Sequence, residues 1–444
     1  MSFLDSKAIS YIHFLQRQAA SLLLYQNVLS DEPGQAFINL LQAINNSNIN
    51  QNDALNCINA YGMWFKAMSW TNQSWQDYLI SKIIIDDNYF SRQSQQQGEY
   101  GDLPETIIAA AQQDMQALHS LYKCKAEDLS RWVQDAATLA VAPVVWNIPP
   151  KKTQEIGDIS IREKLRTLKK WTDAIEDLVL YYRKFGSGIF SQYIVLRWEA
   201  GKMIGIQYPD SVKLSQIVGY ELQRDALVKN TEFLLAGYPA LNVLLYGSRG
   251  SGKSSLVKSL VNQYRQKNLR LIEVAKSDLK DLPIIVEKLR GVPHKFIIFV
   301  DDLSFEEDDE SFKNLKVVLE GSVVERPQNV VVYATSNRRH LVREFFADRP
   351  RPVDASEVFS WDTVQEKLSF SDRFGLTLTF EPADQKTYLE IVNHLATQAS
   401  INISQADLEY RALQWATRHN GRSGRTAKQF IDFLRADLAL SSEK

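Results

Sequence analysis

The sequence predicts an α/β core built on a parallel sheet, preceded by a mainly helical region and closed by a small helical cap. Three observations carry this. Residues 1 to about 145 repeat apolar positions at three and four, as in Ile9, Ile12, Phe14 and Leu15, and again in Leu129, Trp132 and Val133, the period of amphipathic helices. From Leu214 onward, short apolar runs alternate with helical stretches, the pattern of parallel strands joined by crossovers. Residues 383–440 return to helix.

A chain of 444 residues is about three times the usual domain length, so two or three domains and a sizeable core are expected. In the N-terminal region, polar loops are predicted between helices, notably "SRQSQQQGEYGDLPE" at 91–105. "NIPPKKTQEIGD" at 147–158 stacks Pro149 and Pro150 with two lysines and reads as a linker or long turn. One helix is predicted over about 160–184, followed by a short hairpin, "IVLRWEAGKMIGI", turning at Ala200 and Gly201. The strand candidates are Val243–Tyr246, Leu271–Val274, Phe296–Val300, Val330–Ala334 and Leu376–Phe380.

Composition excludes several classes. Net charge is −2, and residues 1–200 hold 18 Lys plus Arg against 21 Asp plus Glu, leaving 33 against 32 for the rest. Without a concentrated basic face, nothing demands a nucleic-acid partner. Cys57 and Cys124 are too few and too far apart for a metal cluster or a disulfide framework, and read as buried free thiols of a reducing compartment. The start of the chain breaks its apolar pattern with His13, Gln16, Arg17 and Gln18, which fits an amphipathic helix and not a signal peptide. With no run of about 18 apolar residues, a cytoplasmic protein with no membrane span is expected. Seven tryptophans, Trp64, Trp70, Trp75, Trp132, Trp146, Trp171 and Trp198, precede residue 200. They read as core anchors, with a docking surface as the alternative.

The chemistry is concentrated in three stretches. "GSRGSGKS" sets Gly247, Gly252, Lys253 and Ser254 in the pattern G-x-x-x-x-G-K-[ST] between an apolar strand and a helix beginning near Ser254. Glycines let successive backbone N–H groups wrap phosphates, and the helix N-terminus adds partial positive charge. The cradle runs from Gly247 through Ser248, Arg249, Gly250, Ser251 and Gly252 to Ser255. Lys253 is expected on the β- and γ-phosphates and Ser254 on Mg²⁺. "KFIIFVDDLSF" ends an apolar strand in Asp301 and Asp302. Asp301 is suited to hold Mg²⁺, directly or through water, and Asp302 to polarise an attacking water. "VVVYATSNRR" ends a further strand in Thr335, Ser336 and Asn337, the amide of Asn337 being suited to orient that water or read the γ-phosphate.

Together these residues resemble the AAA+ ATPases over about residues 210–440. "GSRGSGKS" looks like Walker A, "IIFVDD" like Walker B and "ATSN" like sensor 1. The resemblance implies ATP with Mg²⁺ as cofactors, and places Ile217, Val218 and Gly219 of "QIVGYELQRDALVKNTEFLLAG" near adenine. It makes Arg373 of "LSFSDRFG" an arginine finger serving a neighbouring subunit in a homo-oligomer, and Arg425 of "GRSGRTAKQF" a sensor 2 residue. Arg422, Arg349 and Arg351 are the alternatives. More narrowly, "LRLIEV", "DDLSFEE", "YATSNRRHL" and "RTAKQF" look like a bacterial AAA+ family catalogued as a domain of unknown function, number 815. Asp302 departs from the usual Walker B pattern, where Glu is one methylene longer, so either water is held closer or hydrolysis is slow.

The implied organisation is a helical N-terminal domain over 1–185 for partner recognition, a hairpin and linker over 186–213, a nucleotide-binding core over 214–381 and a lid over 382–444. The acidic run "SFEEDDESF" at 304–312 reads as a solvated loop or a partner contact, and Arg338, Arg339, His340 and Arg343 as a solvated helix start with salt bridges, with a nucleic-acid contact as the alternative. The functional expectation is an oligomeric ATPase that remodels a protein partner. A loader acting on DNA and a slow ATP-dependent switch or scaffold remain as alternatives.

Overall fold

The computed structural model describes residues 4–49, 53–96, 100–148, 159–305, 315, 319, 327–337, 373–419 and 421–442. Two compact units are present: residues 1–192 with 291–293, and residues 193–290 with 294–444.

The first unit is helical: α1 (Ser6–Ala20), α2 (Glu32–Ile49), α3 (Ala54–Thr71), α4 (Trp75–Ile85), α5 (Tyr89–Gln96), α6 (Glu105–Tyr122), α7 (Ala126–Ala137), α8 (Ile159–Thr167), α9 (Ile175–Phe185) and α10 (Gly188–Gln192). Two of these helices, α1 and α4, start where a short polar side chain satisfies an orphan N–H group of the first turn. Asp5 accepts from the Ala8 N–H at 2.6 Å, and Ser74 from the Asp77 N–H at 3.0 Å. Aromatic packing fills the interior. Phe37 stacks on Trp75 with centroids 4.1 Å apart, and the Trp75 indole N–H donates to the Leu121 carbonyl at 3.0 Å. Trp64, Trp75, Trp132 and Trp171 are buried, whereas Trp70 is 78% exposed. Both cysteines are buried and free, and burial pushes their thiols up.

Two local expectations are corrected. The stretch at 91–105 does not begin as a loop, because its first six residues complete α5. There Phe90, Ser91 and Ser94 are buried, and the Ser94 hydroxyl back-bonds to the Phe90 carbonyl at 2.8 Å. The helix predicted over 160–184 is two, α8 and α9, with a short 3₁₀ turn over Trp171–Ala174 before α9. The turn buries Trp171, whose indole N–H donates to the Leu165 carbonyl at 2.7 Å.

The second unit carries β1 (Val195–Glu199), β2 (Lys202–Gly205), β3 (Val243–Gly247), β4 (Leu269–Val274), β5 (Lys295–Val300), β6 (Val330–Ser336) and β7 (Leu376–Phe380). They form one sheet in the order β2-β1-β4-β5-β6-β3-β7. Every neighbouring pair is parallel except β1 with β2. Strands β5 and β6 are buried nearly end to end, as expected where helices cover both faces of a parallel sheet. The hairpin predicted to turn at Ala200 and Gly201 forms as β1 and β2. Its first strand pairs with β4 from Val195↔Leu271 to Trp198↔Val274, and so extends the sheet.

Helices α11 (Glu221–Leu235), α12 (Lys253–Tyr264) and α13 (Leu282–Leu289) flank the strands. The chain closes with α14 (Gln385–Gln398), α15 (Gln405–Arg418) and α16 (Gly424–Ser442). These three pack on their own core, which includes Tyr388, Val392, Ala412, Ala427 and Phe430. No helix among the described residues is long and apolar enough to cross a membrane.

Candidate functional site

Strand β3 ends at Gly247, whose φ of 139° belongs to glycine. A Cβ there would lie 1.9 Å from the Phe380 carbonyl oxygen, which instead accepts the Ser248 N–H at 2.9 Å. The end of β7 thus aims the turn that follows β3. Gly250 and Gly252 also have positive φ, 76° and 92°, and α12 begins immediately after them at Lys253. The result is a backbone loop opening onto a helix N-terminus, the arrangement that receives phosphate. Lys253 is only 6% exposed. Its ammonium donates to the Gly247 carbonyl at 3.0 Å and the Ser248 carbonyl at 2.7 Å. Burial lowers its pKa below the ordinary lysine value, and the charges of Asp301 and Asp302 pull in the opposite direction.

The acidic pair follows β5 directly. Because β6 lies between β3 and β5, the ends of all three strands converge. Asp301 Oδ1 accepts from the Ser254 hydroxyl at 2.6 Å and from the Thr335 hydroxyl at 2.5 Å. The Asp302 N–H donates to Thr335 Oγ1 at 2.9 Å, and Asp302 Oδ1 accepts from the Asn337 amide at 2.6 Å. Asp302 has a φ of 51°, in the left-handed region that Asp tolerates better than most residues with a Cβ.

A cleft of about 660 Å³ joins these groups. Its lining includes Arg249 through Ser255, Asp301, Asp302, Thr335 and Asn337. Ile217 and Val218, with Ile391 and Leu395 of α14, line it as well. Ile217 packs against the sheet core and Val218 against the lid core, so two consecutive residues tie the cleft to both bodies of this unit. From α16 come Arg425 and Lys428, and the Arg425 N–H donates to the Gly250 carbonyl at 3.2 Å.

A family profile described as "Protein of unknown function (DUF815)" matches residues 191–438. The chain belongs to the DUF815 family. The match covers the sheet, the cleft and most of the lid, while nearly all of the helical unit falls before it. Comparison with curated proteins finds no match. Among solved structures, the DUF815 chain is similar to a mutant of RuvB from Thermotoga maritima. That likeness has 17% identity over 52% of this chain and 67% of that one, with a TM-score of 0.36. It is also similar to the RuvB Holliday junction branch migration motor of the same organism, at 15% identity over 50% and 72%, with a TM-score of 0.31. Both likenesses are distant, and neither says what this chain acts on.

Not every residue singled out in the sequence lines the DUF815 cleft. Gly219 does not. Its φ is 88°, and a Cβ on it would lie 2.6 Å from Thr387 Cγ2, so it sets the close approach of the loop before α11 to α14. Gly247 stands behind the loop as its hinge. Arg373 precedes β7, and the five residues of that strand, roughly 16 Å of chain, separate it from the strand ends that form the cleft. Arg422 lines a second hollow on the far side of the loop with Arg249, His419 and Arg425. Glu306, Glu307, Arg338, Arg339, His340, Arg343, Arg349 and Arg351 lie outside the described residues.

Other lining residues went unnoticed in the sequence. Lys428 stands one helical turn beyond Arg425 and was legible from that spacing. Val212, Gln216, Ile391 and Leu395 carried no local signal. Thr335 was visible as a strand end, but its bonds to Asp301 and Asp302 depend on strand order.

The donor set fits Mg²⁺ bound together with a nucleotide. The Ser254 hydroxyl and the Asp301 carboxylate are hard oxygen ligands held together. Among the described residues no cluster of three His, Cys, Asp or Glu forms a cage. A hard cation held by one or two protein oxygens takes its remaining ligands from phosphates and water.

Proposed function

We propose that this DUF815 protein is an AAA+ ATPase that binds ATP with Mg²⁺ and hydrolyses it to ADP and phosphate. The observation that carries this reading is the placement of β6 between β3 and β5. It sets Lys253, Ser254, Asp301, Asp302 and Asn337 around one cleft. The loop N–H groups and Lys253 bind and orient the β- and γ-phosphates, Lys253 exchanging its two carbonyl acceptors for phosphate oxygens. Ser254 and Asp301 hold Mg²⁺, which neutralises charge developing on the phosphates. Asp302, positioned by Asn337, orients a water in line with the γ-phosphorus and receives its proton as the bond to the ADP oxygen breaks. Arg425 and Lys428 bring positive charge from the lid, so lid position and phosphate state are linked. Ile217, Val218, Ile391 and Leu395 supply the apolar surface for the base.

Arg373 cannot serve the cleft of its own chain from the opposite end of β7. An arginine finger acting in a neighbouring copy fits that position, and makes the protein a homo-oligomer whose activity rises with concentration. The helical unit is the proposed recognition element for a protein partner. Asp302→Asn is the decisive variant. ATP binding is expected to persist while phosphate release falls roughly 10²-fold or more, and a pull-down with this trapped form should retain the partner. Phosphate release equal to wild type would remove Asp302 from its role and turn attention to Glu306 and Glu307.

A slow switch is the second reading, supported by the short Asp302 side chain and its 2.6 Å bond to Asn337. It predicts tight ATP binding with negligible phosphate release by the wild-type protein, even in the presence of its partner.

A further inference from the structure

We propose that Thr335 is a positioning residue that sets both carboxylates of the site through its hydroxyl, an assignment that rests on the nucleotide-binding reading above. Thr335 is 2% exposed and sits on β6, where Leu245 of β3 is its registered partner. Val300 pairs with Ala334 on the other side, which brings Thr335 level with Asp301. Strand periodicity of two then puts Thr335 and Asn337 on the same face, and both meet the acidic pair.

Each hydrogen-bonding group of Thr335 facing that pair is used. Its hydroxyl donates to Asp301 Oδ1 at 2.5 Å and accepts the Asp302 N–H at 2.9 Å. Its carbonyl accepts the Leu303 N–H at 2.7 Å. Residues 301, 302 and 303 are therefore all fastened to one threonine, and Asp302 adopts its positive φ between two anchored neighbours. With Oδ1 of Asp301 shared by two hydroxyl donors, Thr335 and Ser254, the carboxylate has one rotation and Oδ2 is the oxygen left to address a cation or its water. The hydroxyl is bonded to the two aspartates. It acts through Asp301 and Asp302.

Thr335→Val keeps the shape and the β-branched stem but removes the hydroxyl, and Thr335→Ser returns the hydroxyl without the methyl. Nucleotide affinity is measured by titration of fluorescent ADP and ATP in EDTA and in MgCl₂, alongside phosphate release. For Thr335→Val the affinity in EDTA should stay within about threefold of wild type, because Lys253 and the loop are untouched. The gain in affinity on adding MgCl₂ should shrink about tenfold, and kcat should fall roughly 10- to 100-fold with KM little changed, the scale of loss when a catalytic group is misplaced by about 1 Å. Thr335→Ser should recover both readouts to within about threefold.

A Thr335→Val protein that keeps the wild-type magnesium response and kcat would overturn the assignment, as would a Thr335→Ser protein as defective as Thr335→Val. Should Thr335→Val fail to fold by thermal melting, Thr335→Ser against Thr335→Ala makes the same comparison. If wild type binds magnesium nucleotide without hydrolysing it, the hydrolysis reading falls while the magnesium response still decides Thr335. If wild type binds no nucleotide, both fall.

Discussion

Replacing Lys253 by methionine keeps most of the aliphatic stem and removes the cation. The ammonium satisfies two carbonyls, at 3.0 and 2.7 Å, and these bonds must be given up if it is to reach a phosphate. Charge-assisted hydrogen bonds are worth about 1.5–3 kcal/mol each, so two bonds to phosphate amount to about 3–6 kcal/mol. Subtracting the two displaced carbonyl bonds, at about 1 kcal/mol each, leaves roughly 1–4 kcal/mol, or about 5- to 10³-fold in Kd. Titration of fluorescent ATP measures this directly. Thermal melting supplies a second reading, since saturating nucleotide at about 100 times Kd adds about 2.7 kcal/mol to the wild-type protein, and the variant should show a smaller gain at the same concentration. The lysine also gives the site a pH signature. Burial lowers its pKa from 10.5, so the cation is present below the lowered value and lost above it. Affinity should therefore decline at a pH below that of an ordinary lysine. A Lys253→Met protein that binds ATP within about threefold of wild type, with an unchanged pH profile, would refute the phosphate-cradle reasoning.

Gly247→Ala combines a φ of 139° with a Cβ only 1.9 Å from the Phe380 carbonyl oxygen. Urea unfolding should show a loss of about 2 kcal/mol or more, together with loss of nucleotide binding. Asp86, in the helical unit, has its pKa raised from 3.8 to about 6, chiefly by burial. A folded pKa above the unfolded one contributes stability that is present below about pH 4 and is lost as pH rises through about 6. Asp86→Asn should flatten that slope and stabilise the neutral-pH protein by up to about 3 kcal/mol, read from urea melts between pH 4 and 8. A wild-type slope in the variant would locate the titration elsewhere.

Much of the candidate site could be read without coordinates because its determinants are local. Glycine accommodates the φ of 139° at the end of β3 and of 92° just before α12, and a lysine and serine must follow at the first turn of the helix. That logic located Gly247, Gly252, Lys253 and Ser254. The apolar runs likewise located β3, β5 and β6 to within two residues, since strands buried along most of their length have few polar positions to obscure them, and β7 was located as well although its Thr377 and Thr379 are exposed. Where the logic was compositional it failed. The glutamine-rich stretch after Ser91 is polar enough to suggest a loop, yet buried serines that bond to their own backbone hold its start in α5. The seven tryptophans likewise divide by burial and not by sequence: Trp64 is fully buried and Trp70, six residues later on the same helix, faces solvent.

By itself, the sequence determined the glycine-rich loop, the two consecutive carboxylates and the strand ends that bear them, because each depends on backbone conformations and side-chain periods spanning fewer than ten residues. The order of the strands was decided only in the tertiary structure. Pairing energies between β3, β6 and β5 depend on residues 90 positions apart, as in Val243 and Tyr333, or 34 apart, as in Phe296 and Val330, and no local pattern specifies which strand lies between which. That order turned Thr335 from a strand terminus into the residue that holds Asp301 and Asp302. It also drew the β1–β2 hairpin into the sheet and set Arg373 at the end of β7 away from its own cleft.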